Sequence, residues 1–193
     1  MLNQLIEIFI SMIVLIPVFG VLNSISFHDT RESLLYYVFA SYLSAVYLRV
    51  GMPTLQFIRF ELSLTLIPFL PMINDIKNTI LNIILFVPLG FMLPFLWKKY
   101  NSLRQTLMFG FVTSLFIELL QILTYRATDI NDLIANMCGV LLGFSFFKVV
   151  ARIIPSVTKF SRRKNEVFTV VLAVFTAMFF VQPYLAELYF KIT

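Results

Sequence analysis

Six long apolar stretches govern what this chain can fold into. They run from about Leu5 to Leu22, Leu34 to Leu48, Ile80 to Trp97, Leu107 to Leu123, Leu133 to Ile154 and Val167 to Phe190. A helix that crosses a bilayer needs about 20 mostly apolar residues, and each stretch approaches that length. The second is short and borrows flanking residues such as Ser33 and Val50. The last contains Pro183, which is expected to kink it or end its membrane portion early. With 60% hydrophobic and 13% charged residues, a water-soluble domain could not hide this much apolar surface, whereas lipid solvates it. The first stretch lacks a basic leader and a small-residue cleavage site, so it reads as a retained helix. The expected fold is all-α: a polytopic transmembrane bundle of about six helices in one domain over residues 1–193.

One segment departs from helical periodicity. From Ile58 to Leu66 apolar residues (Ile58, Phe60, Leu62, Leu64, Leu66) alternate with Arg59, Glu61, Ser63 and Thr65. Period two over this length predicts an extended or strand segment before helix three.

Orientation follows from basic residues in short connections. Lys98, Lys99 and Arg104 lie between helices three and four; Lys148, Arg152, Lys159, Arg162, Arg163 and Lys164 cluster between five and six. Loops 98–104 and 155–166 are therefore expected in the cytoplasm, and loops 51–76 and 125–131 outside, with both termini outside. Counting Arg31 inside, ten basic residues face in and five face out. The basic run Lys159 to Lys164 adjoins a membrane helix, so anionic headgroups are its nearer partner and nucleic acid is not expected. His28, in a polar loop beside Asp29, reads as a surface residue. Cys138 has no partner for a disulfide or metal site and reads as a small residue packed in a helix.

Polar groups are costly in a bilayer core, and here they fall on helical faces. Helix three carries Asn78, Asn82, Phe86 and Gly90, with Asp75 just before it. Helix four carries Gly110, Ser114, Glu118, Gln121 and Tyr125. Helix five carries Asp132, Asn136, Gly139 and Gly143. The small residues Gly90, Gly110, Ser114, Gly139 and Gly143 let backbones approach closely. Glu118 lies about four residues from the outer end of its helix and needs a cation, donors or a proton there. Asn82, Glu118, Gln121, Arg126, Asp129, Asp132 and Asn136 are expected to converge in one outward-facing cluster, with Arg126 as the cation for Glu118. A structural network locking helices three to five and a ligand-binding site both fit this spacing.

The motifs bear a specific likeness. Asn82-Ile83-Ile84-Leu85-Phe86-Val87-Pro88-Leu89-Gly90 resembles the Asn-x-x-x-Phe-x-Pro-x-Gly signature of the VanZ-like family. Ser114, Glu118 and Gln121 resemble that family's Ser-x-x-x-Glu-x-x-Gln helix. Arg126, Asp129, Asp132, Asn136 and Gly139 match the pattern that follows it, and Ile67-Pro68-Phe69 resembles the segment that precedes the first signature. The likeness covers about residues 34–154, leaving the N-terminal helix over 5–22 and the C-terminal helix over 167–190 outside it. It implies a bacterial cell-envelope protein of the cytoplasmic membrane. The founding member of the family is associated with resistance to the glycopeptide teicoplanin, and no reaction is attached to the family.

Three functions compete. The first is a non-catalytic envelope protein that binds or modulates a lipid-linked or peptidoglycan-related ligand, with membrane lipid as its other partner. The second is an intramembrane enzyme in which Glu118, Asp129 and Asp132 supply acid–base chemistry or hold a hard cation. The third is a transporter or flippase, although no inverted repeat is visible. The sequence carries no Ser-His-Asp set, no metal-ligand spacing, no phosphate loop and no cofactor motif, so the first reading leads and no cofactor or metal is expected.

Overall fold

The computed structural model describes residues 2–60, 64–65, 68–69, 72, 75–124, 128–160 and 166–192. Among the described residues, six helices are long and apolar enough to cross a membrane: Asn3–Phe27, Thr30–Val50, Ile76–Leu96, Leu103–Gln121, Ile130–Ile153 and Val167–Ile192. Large apolar side chains stay exposed along them, among them Phe9, Ile13, Val38, Ile84, Met108, Val112, Phe146, Val149 and Leu172. Such a surface is solvated by acyl chains and not by water. The chain is a multi-pass membrane protein built of helices.

Its contacts fall into two compact units that no shift in composition announces. One holds residues 1–58 and 166–193; the other holds residues 59–165.

The first unit contains α1 (Leu2–Leu22), α2 (Thr30–Val50), α6 (Val167–Thr176) and α7 (Gln182–Ile192). A π-helical turn, Asn23–Phe27, extends α1 and ends where His28 adopts a left-handed φ of 57° and donates its N–H to Asn23. His28 is exposed, and Asp29 caps α2 by accepting from the Arg31 N–H. The second span begins earlier than its apolar run, at Thr30. Pro183 neither ends nor shortens the last span. A second π turn, Ala177–Val181, precedes it, and the helix runs on to Ile192. Proline cannot donate to the carbonyl one turn back, which is Phe179; the Leu55 N–H donates to that oxygen instead at 3.1 Å.

The second unit contains β1 (Leu64–Thr65), α3 (Ile76–Leu96), α4 (Leu103–Gln121), β2 (Thr128–Asp129) and α5 (Ile130–Ile153). Helices α3 and α5 run parallel and almost touch. A Cβ on Gly90 would land on the Val140 carbonyl, one on Gly139 on the Ile83 carbonyl, and one on Gly143 on the Val87 carbonyl. The Gly110 face of α4 meets the Val140 side chain. Further along, Phe91 packs against Phe95, Phe146 and Phe147. Cys138 is exposed on the apolar surface of α5, not packed inward as its size suggested.

The alternating segment before α3 is extended in part. Leu64 and Thr65 pair in parallel with Thr128 and Asp129, and Arg59 bridges to Thr124, its N–H donating to the Leu123 carbonyl at 2.9 Å. Residues 61–63 and 66 of that expectation lie outside the described residues. The partner strand follows α4, where nothing in the sequence alternates.

Candidate polar site at one end of the second unit

The last turn of α4 and the first turns of α3 and α5 meet at one end of this unit. Asp75 caps α3, accepting from the Asn78 N–H at 3.1 Å. Asp129 caps α5, accepting from the Asn131 N–H at 2.8 Å. A capping carboxylate satisfies an otherwise orphaned donor and complements the positive end of the helix.

Glu118 is 3% exposed. Its Oε2 accepts from the Asp129 N–H at 2.9 Å, and its carbonyl accepts from the Thr128 hydroxyl at 2.9 Å. The carboxylate therefore sits against the N-terminus of α5, where the helix dipole favours negative charge. Asn131, also buried, completes the link. Its Nδ2 donates to Asp129 Oδ1 at 2.7 Å, and its Oδ1 accepts from the Phe69 N–H at 2.8 Å. Phe69 holds a left-handed φ of 67° with its ring exposed, a conformation that costs a bulky residue about 1–2 kcal/mol and persists because Asn131 ties its amide. A hydrogen-bonded path thus runs from the Pro68-Phe69 segment through Asn131 and Asp129 to the buried Glu118.

About 10 Å further along, at 1.5 Å per residue, Asn136 Nδ2 donates to the Ser114 hydroxyl at 2.9 Å. Asn136 Oδ1 is buried and has no hydrogen-bond partner among the described residues. Asp132 accepts from Asn78 Nδ2 at 3.4 Å. The register that places Asp132 beside Asn78 and Gly139 beside Ile83 sets half-buried Asn82 on the same step as Asn136.

Of the seven cluster residues, Glu118 and Asp129 are in direct contact. Gln121 is buried one turn from Glu118, on the same face. Asp132 and Asn136 line the neighbouring face of α5. Arg126 lies outside the described residues. Asn131 was missed because it falls one position off the Asp132–Asn136 stripe; the available signal was its place two residues after a capping aspartate. The residues present carboxylates and carboxamides, which can accept from and donate to a polar group or hold a cation.

Helices, motifs and polar end together define a multi-pass membrane protein whose family motifs all lie in the second unit. Residues 9–154 match the VanZ/LLP1 family, and the chain belongs to it. The match begins inside α1, ahead of residue 34, where the likeness of the motifs starts. Over 86 residues the chain is 36% identical to a protein VanZ of Enterococcus faecium, covering 44% of this chain and 52% of that protein. The chain thus spans about half the length of this curated relative. No solved structure matches it.

Proposed function

We propose that this is a cell-envelope protein of the bacterial cytoplasmic membrane that contributes to glycopeptide resistance of the teicoplanin type. In this reading the polar end of the second unit faces outward and binds a lipid-linked or peptidoglycan-related ligand. The observation that carries it is Glu118. A carboxylate buried in a membrane helix is expensive, and here it is wired through Asp129 and Asn131 to an exposed segment. A purely structural lock would not need a path to the surface. The acceptor-rich end suits a ligand that brings hydrogen-bond donors.

The test is complementation of a deletion strain with wild type, Glu118→Gln and Asp132→Asn, each checked for membrane expression. Wild type is expected to raise teicoplanin tolerance more than vancomycin tolerance, and both variants to lose that effect. Expressed variants that protect like wild type would make the cluster structural.

The orientation has its own check. In a Cys138→Ser background, Arg59→Cys and Asp129→Cys should react with an impermeant maleimide on intact cells, while Lys99→Cys should not. The reverse pattern would turn the protein over in the membrane.

A further inference from the structure

The first unit holds a cavity that none of the family motifs touches. Its volume is about 270 Å³, and Glu7 of α1, Tyr47 of α2, Gly51 and Thr54 after α2, and Gln182 and Pro183 of α7 help line it. It lies where α2 ends and within the first turns of α1. Helix ends of a membrane protein sit at headgroup depth.

Two side chains there have unmet bonding capacity. Gln182 is 3% exposed, lines the cavity, and makes no side-chain hydrogen bond with a described residue. A buried carboxamide without partners is costly unless something supplies them. Glu7 is half-buried and forms neither an ion pair nor a hydrogen bond with a described residue. No lysine or arginine lines the cavity. Of the other polar groups on the wall, the Tyr47 hydroxyl donates to the Pro53 carbonyl and the Gly51 N–H turns back to close α2, while the half-buried Thr54 adds a neutral hydroxyl. What is left is one carboxylate, one carboxamide, one hydroxyl and the Tyr47 ring, with Glu7 the only charged group among the lining residues.

That set selects a compact cation with N–H donors. An anion would meet Glu7, and an apolar group would leave Gln182 unsatisfied. We propose that the cavity binds a primary ammonium group, paired with the Glu7 carboxylate and hydrogen-bonded to Gln182 Oε1. The ammonium belongs either to an aminolipid headgroup or to a free amine. The site shares no residue with the Glu118 cluster and stands or falls apart from the function proposed for it.

The test uses the full chain in nanodiscs of phosphatidylglycerol mixed with either phosphatidylethanolamine or phosphatidylcholine. Lipids retained after mild detergent extraction are measured by mass spectrometry. Phosphatidylethanolamine should be enriched roughly tenfold over phosphatidylglycerol, the effect of one charge-assisted hydrogen bond. Phosphatidylcholine, which has no N–H, should not be enriched. Glu7→Gln should abolish the enrichment, and Gln182→Glu should preserve it. A second arm adds ethanolamine to protein in phosphatidylglycerol alone and reads the thermal midpoint. A rise that Glu7→Gln removes would support the site with a free amine as its ligand. The proposal is overturned if neither amine source binds, if Glu7→Gln binds as wild type, or if phosphatidylcholine is retained equally.

Discussion

Gly143→Val is expected to prevent accumulation of a folded protein. The new side chain would meet the Val87 carbonyl and the Phe91 amide nitrogen, the latter at 2.9 Å from the Cβ. Both are backbone atoms of a neighbouring helix, so relief requires α3 and α5 to part along their tightest contact. Overpacking of a well-filled core costs about 1–3 kcal/mol and occasionally more; a clash with backbone belongs at or above the upper end. Gly110→Ala meets Val140 Cγ2 at 2.7 Å and Cγ1 at 3.1 Å; these are side-chain atoms and not backbone, but a buried helical valine is stiff at χ1, so the cost should be about 1–3 kcal/mol. Gly20→Ala meets nothing within 4 Å and should be neutral or slightly stabilising. Folded yield in detergent should follow that order for the three variants, and so should the thermal midpoints of Gly110→Ala and Gly20→Ala. A Gly143→Val protein as stable as wild type would refute the close approach.

Glu118→Ala is expected to cost about 2–4 kcal/mol, combining a half-buried Asp129 N–H left without its acceptor with the cavity left by the buried Glu118 side chain. Glu118→Gln should lose far less, because a carboxamide oxygen can take the same N–H. The pair of variants separates fold from function. If the glutamine variant is as stable as wild type yet silent in teicoplanin protection, the charge itself is used. If both variants are equally unstable, the carboxylate is a structural group. The expected Arg126 pairing has a separate measure, a double-mutant cycle of Glu118→Ala and Arg126→Ala. Losses that simply add would exclude the pair.

Much of this arrangement was legible in the residues. The stripe Gly110, Ser114, Glu118, Gln121 on α4 is the stripe that the structure buries. Gly139 and Gly143 mark the α5 face on which α3 lies. Lipid imposes both: it offers polar atoms no partner, so they turn inward, and helices held by van der Waals contact alone approach through small residues. The fate of Pro183 was not legible, because the carbonyl it frees is satisfied by Leu55, far away in sequence. Nor was β2 legible, since a parallel two-residue ladder leaves no alternation to read.

The sequence by itself determined the six spans, the unusual extended segment and the faces that carry polar groups, since all of these follow from local periodicity against an apolar solvent. Tertiary structure alone decided which group meets which. The amide of Phe69 reaches Asn131 across 62 positions, and the Glu118 carboxylate takes the N–H of Asp129. Those bonds depend on how α4 and α5 bring distant backbone donors together, and periodicity carries no information about distance between helices.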